Sequence, residues 1–428
     1  MKRIASCFVF LVFLIASVCL CSNVLESKEA RKKYKPFFDT STNYDVLFFG
    51  TSHMWNHVLP MELWKEYGIG SYNWGYSNCT TAEDYYIMKD VVKHNTPKVI
   101  VLDLYGVIEY ENYNNGKYRT DRIEQQHVQF DMLPLSKNKI EGTRDIFDDY
   151  DGRDDFIWDF IMYHNRWKEL SEDDFNYTLS PEKGSYYLSG ISSKKYTPIE
   201  ADETMEIDTV CYQYFKKILG YCSENNIELL CVYLPFAAEV EQQQVANTVG
   251  PLIEQYDHCY YLNMLNEGIV DYQVDNSTQT DHLNQSGALK VTSWLGSYLQ
   301  EHYQLTDYSA DAIWQRDYER YYDYKVERLK EQKRLTEYLS LLHDEDFKAI
   351  FEIYEADLME SEYLLALLDN VVHKDVSVVD RDETDDKQKG ACLKLTILST
   401  RTDEKLVEEY FEFESKDNRT INQIIKKQ

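Results

Sequence analysis

Two residues far apart in the chain have side chains that could do nucleophilic chemistry together. Ser52 stands in "DVLFFGTSHMW", residues 45–55, where an apolar, aromatic run ends in Gly-Thr-Ser-His. His282 stands in "TDHLNQSGALKVT", just ahead of a segment with helical spacing. A serine hydroxyl is a poor nucleophile until a base takes its proton. An imidazole, with a pKa near neutrality, is the side chain suited to take it. Backbone N–H groups at the turn after Ser52 are candidate oxyanion donors, because the first turn of a helix leaves its donors unpaired. His53, next to the serine, has two readings: it faces the pocket and touches substrate or oxyanion, or it caps the following turn.

The elements around this pair must bring them to one place. "DVLFFG", "KVIVLDLYG", "IELLCVYLPF" and "CYYLNM" read as strands. The second is a continuous β-branched run, the pattern of a parallel strand buried on both faces. "TAEDYYIMKDVVKHN", "TVCYQYFKKILGYCSENN", "VEQQQVANTVGPLIEQY" and "SGALKVTSWLGSYLQEHY" read as helices between and after them. This alternation predicts an α/β fold over residues 40–305, with a central parallel sheet and helices on both faces. Ligands of such sheets bind at the carboxyl ends of the strands, where Ser52 lies. Residues 107–205 interrupt the pattern with a polar, acidic and aromatic insertion containing "IMYHNRWKEL". An insertion after a strand's carboxyl end either covers the site, bringing His164 and Arg166 to it, or serves stability alone.

The compartment follows from the N-terminus. Lys2 and Arg3 precede an apolar run to about Cys21. It is near the lower limit for crossing a bilayer and carries no clear cleavage site, so residues 1–22 read as a signal anchor ahead of a cleaved signal. Either way the bulk of the chain is expected outside the cytoplasmic membrane. The formal net charge of −29 argues against nucleic acid as a partner. The 36 tyrosines suit carbohydrate faces but are also ordinary core and surface filler. Outside the leader, Cys79, Cys211, Cys222, Cys231, Cys259 and Cys392 are scattered with no CxxC spacing. Buried free thiols are expected from them rather than a zinc site. No metal and no cofactor is called for.

At "FFGTSHMW" and "DHLNQSGA" the sequence resembles the SGNH/GDSL hydrolases, and more narrowly their membrane-anchored, extracytoplasmic branch near DltD and the alginate-acetylation proteins. The resemblance covers roughly residues 40–330. It implies a three-layer α/β sandwich (SGNH/flavodoxin-like) and ester hydrolysis or acyl transfer, often of O-acetyl groups on glycans. It implies Ser52 as nucleophile and His282 as base. The family's aspartate lies three residues before the histidine, and Gln279 stands there. Asp275, Asp281, or a dyad without any acid are the three arrangements left open. The second-block glycine falls near Asn78, with Gly75 close by, and the third-block asparagine falls near Val107 in "DLYGVIE". That donor is missing, which leaves Asn78, Gly75 or the neighbouring Tyr105 as candidate oxyanion or substrate contacts. Loss of one side-chain donor from an oxyanion hole costs ~3–4 kcal/mol.

The remaining chain reads as a long connecting helix over 306–334 and a small α+β accessory domain over 335–428. Its final pair, "ACLKLTILSTRTDEKLVEEYFEFE", predicts a hairpin turning at Thr402-Asp403. Two functions are thus expected to compete. One is an extracytoplasmic serine esterase or O-acyltransferase acting on acyl esters of a cell-surface glycan, with a membrane-bound O-acyltransferase as a possible partner. The other is a catalytically degenerate relative that binds glycan or assists polysaccharide assembly.

Overall fold

The computed structural model describes residues 2–39, 42–108, 113–114, 117–118, 123–131, 133–148, 150–158, 160–279, 281–382, 384–415 and 419–427. The chain begins with helix α1 (Lys2–Leu25) and a second, amphipathic helix α2 (Lys28–Asp39), for which the sequence reading made no assignment. Residues Arg3–Leu25 of α1 have a mean hydropathy of 2.8, and the apolar window inside them is unburied. This helix is long and apolar enough to be a membrane anchor or a signal sequence.

Five strands form a wholly parallel sheet: β1 (Val46–Phe49), β2 (Ser71–Asn73), β3 (Val99–Asp103), β6 (Leu229–Tyr233) and β7 (Cys259–Asn263). Between β3 and β6, β4 (Tyr113–Asn114) and β5 (Lys117–Tyr118) make a separate short hairpin in the insertion. The sheet order is β2-β1-β3-β6-β7. The chain thus moves one way from β1 to β2 and then returns to the other side of β1 for β3. The carboxyl ends of β1 and β3 flank that reversal, the place where open α/β sheets hold ligands.

Every residue of β1 and β3 is buried, because both faces are covered. Val46 and Phe48 of β1 with Val99 and Val101 of β3 enter one apolar cluster, shared with α3 (Ser52–His57), α4 (Pro60–Tyr67) and α11 (Gln285–His302). Leu47, Phe49, Ile100 and Leu102 enter the other, with α5 (Thr81–His94), α9 (Val210–Glu224) and α10 (Val240–Ile253). The period-two alternation of each strand therefore builds three layers. The insertion adds α6 (Ile123–Phe130), α7 (Lys137–Ile146) and the short α8 (Phe160–Tyr163), with α7 packed on α5. Cys79, Cys211, Cys222, Cys231, Cys259 and Cys392 are buried free thiols, as their scatter suggests.

Helix α12 (Ala312–Glu331) leads to α13 (Leu335–Leu341) and a second, mixed sheet. Its strands are β8 (Phe347–Ile353), β9 (His373–Val378), β10 (Leu393–Ser399), β11 (Lys405–Phe413) and β12 (Ile424–Lys426), in the order β12-β11-β10-β8-β9. Only β8 and β9 pair in parallel. The hairpin of β10 and β11 turns at Asp403, which takes a left-handed φ of 57°. The apolar run "DLMESEYLLALLDNVV" is not one helix: a 3-10 turn over Ala356–Glu360 ends at Ser361, whose hydroxyl caps α14 (Glu362–Asp369) through Leu364 N. One apolar cluster runs without a break from the parallel sheet through α12 into the second sheet.

Candidate active site

The serine sits where β1 turns sharply into α3. Gly50 takes a φ of +140°, and a Cβ there would meet the Cβ of Asp103 at 2.8 Å, so only glycine fits. Thr51 follows as the N-cap: its hydroxyl oxygen accepts from His53 N at 3.3 Å and it donates to Asp103 Oδ2 at 3.3 Å. Ser52 is the first residue of α3 and is half-buried. The His53 N–H, the nearest candidate oxyanion donor, is thus already turned to the Thr51 hydroxyl.

His282 meets this serine across 230 residues of chain: its Nε2 lies 2.8 Å from Ser52 Oγ. Burial lowers the pKa of His282, with the Asp281 charge opposing, so the ring is neutral and able to accept at neutral pH. Its other nitrogen, Nδ1, is buried and has no hydrogen-bond partner among the described residues.

Neither aspartate supplies that partner. Asp275 is fully buried, but its carboxylate accepts from Lys290 Nζ at 2.7 and 2.9 Å, from Ser286 Oγ at 2.7 Å and from Asp271 N at 2.7 Å. Four hydrogen bonds from three donors occupy it, and it anchors the loop to α11 instead of orienting the base. Asp281 uses its backbone carbonyl, and its side chain reaches His282 only as a nearby charge. Gln279 is exposed, with its own N–H and carbonyl both bonded to Ser277 Oγ. Of the three arrangements open in the sequence, the described geometry is that of a Ser–His dyad.

The base is held in another way. His53 Nε2 lies 3.2 Å from the Asp281 carbonyl oxygen, and Leu283 N donates to His57 Nε2 at 3.0 Å. A carbonyl only accepts, so His53 carries its proton on Nε2. Leu283 N only donates, so the neutral His57 carries its proton on Nδ1. The two rings grip the backbone on either side of His282 from one helix face, being four residues apart on α3. Burial, then the neighbouring histidines, pushes the pKa of His53 far down; burial and His282 do the same for His57. His53 also stacks on His282, with ring centroids 5.0 Å apart and planes 17° apart. Capping falls to Thr51, while the His53 ring is buried between the Asp281 carbonyl and the rings of His282, Tyr105 and Phe236. His57 was missed in the sequence, although its spacing from His53 in "SHMWNH" was there to read.

Tyr105 lines the same place: its ring lies 4.0 Å from that of His53, and Phe236 lies 4.6 Å from His53 on another side. Gly75 does not present a free donor. Its N–H donates to Asn73 Oδ1 at 2.9 Å, while Asn73 Nδ2 bonds the carbonyls of Met54 and Val58. Gly75 is glycine for packing, since a Cβ would lie 2.8 Å from Trp55 N. Asn78 adopts a left-handed φ of 55° in the turn before α5, with its amide reaching Ser77 Oγ at 3.3 Å. Beneath the turn lie two buried carboxyls. Burial raises Asp84 and Asp103 each to about 7, against bonds to Cys79 for the first and to Tyr105 N and Thr51 for the second.

The insertion's cluster lies elsewhere. Arg166 donates to the carbonyls of Leu25 and Glu26, both at 2.7 Å, and to Asp174 Oδ1 at 2.8 Å, while the exposed His164 bonds only the nearby Ile161 carbonyl at 2.6 Å. Arg166 serves the end of α1 and His164 bonds within its own turn; no described contact brings either to Ser52 or His282, which corrects the expectation that they reach that site. The reason is that the insertion returns to the N-terminal helices before it re-enters the sheet. A cleft of about 510 Å³ opens between α4, α11 and the second sheet, with Lys65, Lys290, Trp294 and His343 on its walls; neither Ser52 nor His282 lines it.

No family model matches the chain, and no curated protein matches it. Seven chains among solved structures do. One is described as "a putative platelet activating factor" from Streptococcus pneumonia: it is 12% identical, with 68% of this chain and 99% of that chain covered, at a TM-score of 0.31. The chemistry of the site is therefore read from its own geometry.

Proposed function

We propose that the chain is a membrane-anchored, extracytoplasmic serine esterase or O-acyltransferase acting on acyl esters, acetyl foremost, of a cell-surface glycan. The contact that carries this reading is the 2.8 Å approach of Ser52 Oγ to the neutral His282. In the proposed reaction Ser52 Oγ attacks the ester carbonyl carbon while its proton passes to His282 Nε2. The tetrahedral centre collapses, the C–O bond to the alcohol breaks, and His282 returns the proton to the leaving oxygen. Water, or a sugar hydroxyl in transfer, then attacks the acyl-serine, His282 takes the attacker's proton, and Ser52 Oγ recovers it as the acyl group leaves. The resemblance to extracytoplasmic O-acetylation proteins supplies the glycan and the idea of a membrane-bound acyl donor as partner. The apolar α1 supports the anchoring.

A second reading has its own support. Among the described residues His282 Nδ1 meets no acid, and the His53 N–H is engaged, which suits a glycan-binding relative that has lost its chemistry. Two measurements separate them. The purified chain should cleave an activated acetyl ester, and Ser52→Ala or His282→Ala should each remove roughly 10³-fold or more of that activity without lowering Tm. A serine-directed fluorophosphonate should add to Ser52, as read by mass spectrometry. Equal turnover by wild type and Ser52→Ala, with no adduct, sinks the enzyme and leaves the binder.

A further inference from the structure

Residues 157–158 and 160–179 expose large apolar side chains while clasping the exit of α1. Trp158 is 50% exposed, Ile161 41%, Trp167 63% and Phe175 61%. Exposed apolar side chains grouped beside a membrane helix mark a surface for lipid or partner contact. Around them, α8 and the 3-10 turn His164–Lys168 pack against α1. Arg166 bonds the carbonyls of Leu25 and Glu26, and Lys28 Nζ bonds those of Asn23, Val24 and Glu26. Two cations therefore close the negative end of the α1 dipole. Lys32 pairs with Asp173, and Lys35 with the Tyr177 hydroxyl, so the segment also wraps the start of α2.

The covered face of α1 fixes a depth. Ser17, Val18, Ser22 and Val24 are half-buried and Leu25 is buried, while the residues from Arg3 to Ala16 are exposed. At ~1.5 Å per residue, the 23 residues Arg3–Leu25 span roughly 35 Å, little more than the ~30 Å hydrocarbon core. Whatever packs on Ser17 to Leu25 therefore stands at, and dips into, the interfacial layer. Tryptophan and phenylalanine at that level bury apolar ring area among headgroups and upper acyl chains, where tryptophan is enriched.

We propose that Trp158, Ile161, Trp167 and Phe175 form a foot that rests in the interfacial layer of a lipid bilayer beside α1. The foot also sets where the Ser52 site stands. Tyr76 bonds Glu29 of α2 through its hydroxyl and Gly50 O through its N–H, and its ring lies 4.7 Å from that of Trp55 on α3. Lys33 of α2 bonds the Asn73 carbonyl at 3.2 Å. Lys33 Nζ also lies 5.4 Å from the Trp55 ring, so direct contacts link the membrane exit to the turn that carries the serine. The seated molecule is held with its site close over the bilayer, suited to a membrane-bound acyl donor or acceptor.

This inference rests on α1 being retained as an anchor, and the test separates the two. The chain holds seven tryptophans, none in α1; Trp158 and Trp167 are the exposed ones. Full-length protein is reconstituted in phosphatidylcholine vesicles with and without lipid brominated on the upper acyl chain. Flotation and the intact mass report the anchor. Tryptophan quenching by bromine reports the foot, and Trp158→Phe with Trp167→Phe removes the reporters at exposed positions. The expected result is a floating, full-mass chain whose emission is quenched, with most of the quenching lost in the double variant. A floating chain without quenching, or with quenching unchanged in the double variant, overturns the foot and leaves the anchor standing. A chain that loses its N-terminal helix or fails to float overturns both.

Discussion

At the scale of residues, the question is what an imidazole gains from a neighbouring carboxylate. In a triad the acid fixes the tautomer and stabilises the imidazolium, and losing it costs about 10⁴ in rate. Here Asp281 acts on His282 only through its charge, which opposes the lowering caused by burial. Asp281→Asn should therefore cost less than about 10-fold in kcat, far from the triad value. It should also move the acid limb of the pH–rate profile further down, because a charge that favoured the protonated ring is gone. The wild-type limb itself should lie below 6.5, with a flat rate through neutrality, since the working form is the unprotonated one. Asp275→Asn should leave that limb in place and lower stability instead. It breaks the contact with Lys290, at the low end of the ~3–5 kcal/mol typical of a buried pair, because the lysine side chain keeps 21% of its surface exposed. A 10³-fold or larger rate loss on Asp281→Asn, measured with an acetyl ester, would restore the triad.

The element that organises the site is α3, which carries the serine at its first position and the clamp of His53 and His57 along one face. His57→Ala removes the acceptor of Leu283 N and leaves a buried donor unpaired, at about 1–3 kcal/mol. It also frees the backbone that places His282. A displacement near 1 Å costs about 10²-fold in rate, so kcat of His57→Ala should fall by that order with a modest loss of Tm, measured by ester turnover and thermal melts. A variant with unchanged kcat would show that α11 alone places the base. Much of this was legible in the sequence. β1, β3 and β6 were, because β-branched and aromatic runs of that length have few other homes, and "GTSH" after such a run already implied the turn. β2 was not, since it is three residues long and lies between glycines. β9 was not either, because its mixed "HKDVSV" is mostly exposed and lacks a buried alternation. The fate of Asp275 was beyond reach for a different reason. Which donor a carboxylate finds is settled by Lys290, a full fifteen residues on, once α11 has docked.

Across the whole molecule, one buried charge cluster ties the second sheet to the first. Lys325 of α12 is 1% exposed, and its Nζ donates to Glu62 of α4 at 2.9 Å, to Asp344 at 2.7 Å and to Asp346 at 2.6 Å. Lys65 adds contacts to Asp346 at 3.0 Å and Asp344 at 3.5 Å, so two lysines face three carboxylates. Burial alone would raise the pKa of Asp346, but Lys325 and Lys65 outweigh it and hold the carboxyl below its ordinary range. A carboxyl depressed in the folded state contributes stability that is present above its unfolded pKa and lost as pH falls toward the depressed value. In Lys325→Met the sign reverses at Asp346, and the rise that burial already gives Glu62 grows. The cluster is left with Lys65 alone, burial dominates, and Asp346 joins Glu62 above its unfolded value. The folded state then carries unpaired charge at neutral pH and is relieved of it as acid protonates the cluster. Urea unfolding should show the variant weaker by ~3–5 kcal/mol at about neutral pH. The gap should narrow steadily down to about pH 5, where the wild type gains less, from Glu62 and not from Asp346. Because one apolar cluster spans both sheets, the wild type should unfold in a single transition. A gap that stayed constant with pH would mean that Lys325 matters through its packing against Tyr318, Tyr321 and Phe347 and not through its charge.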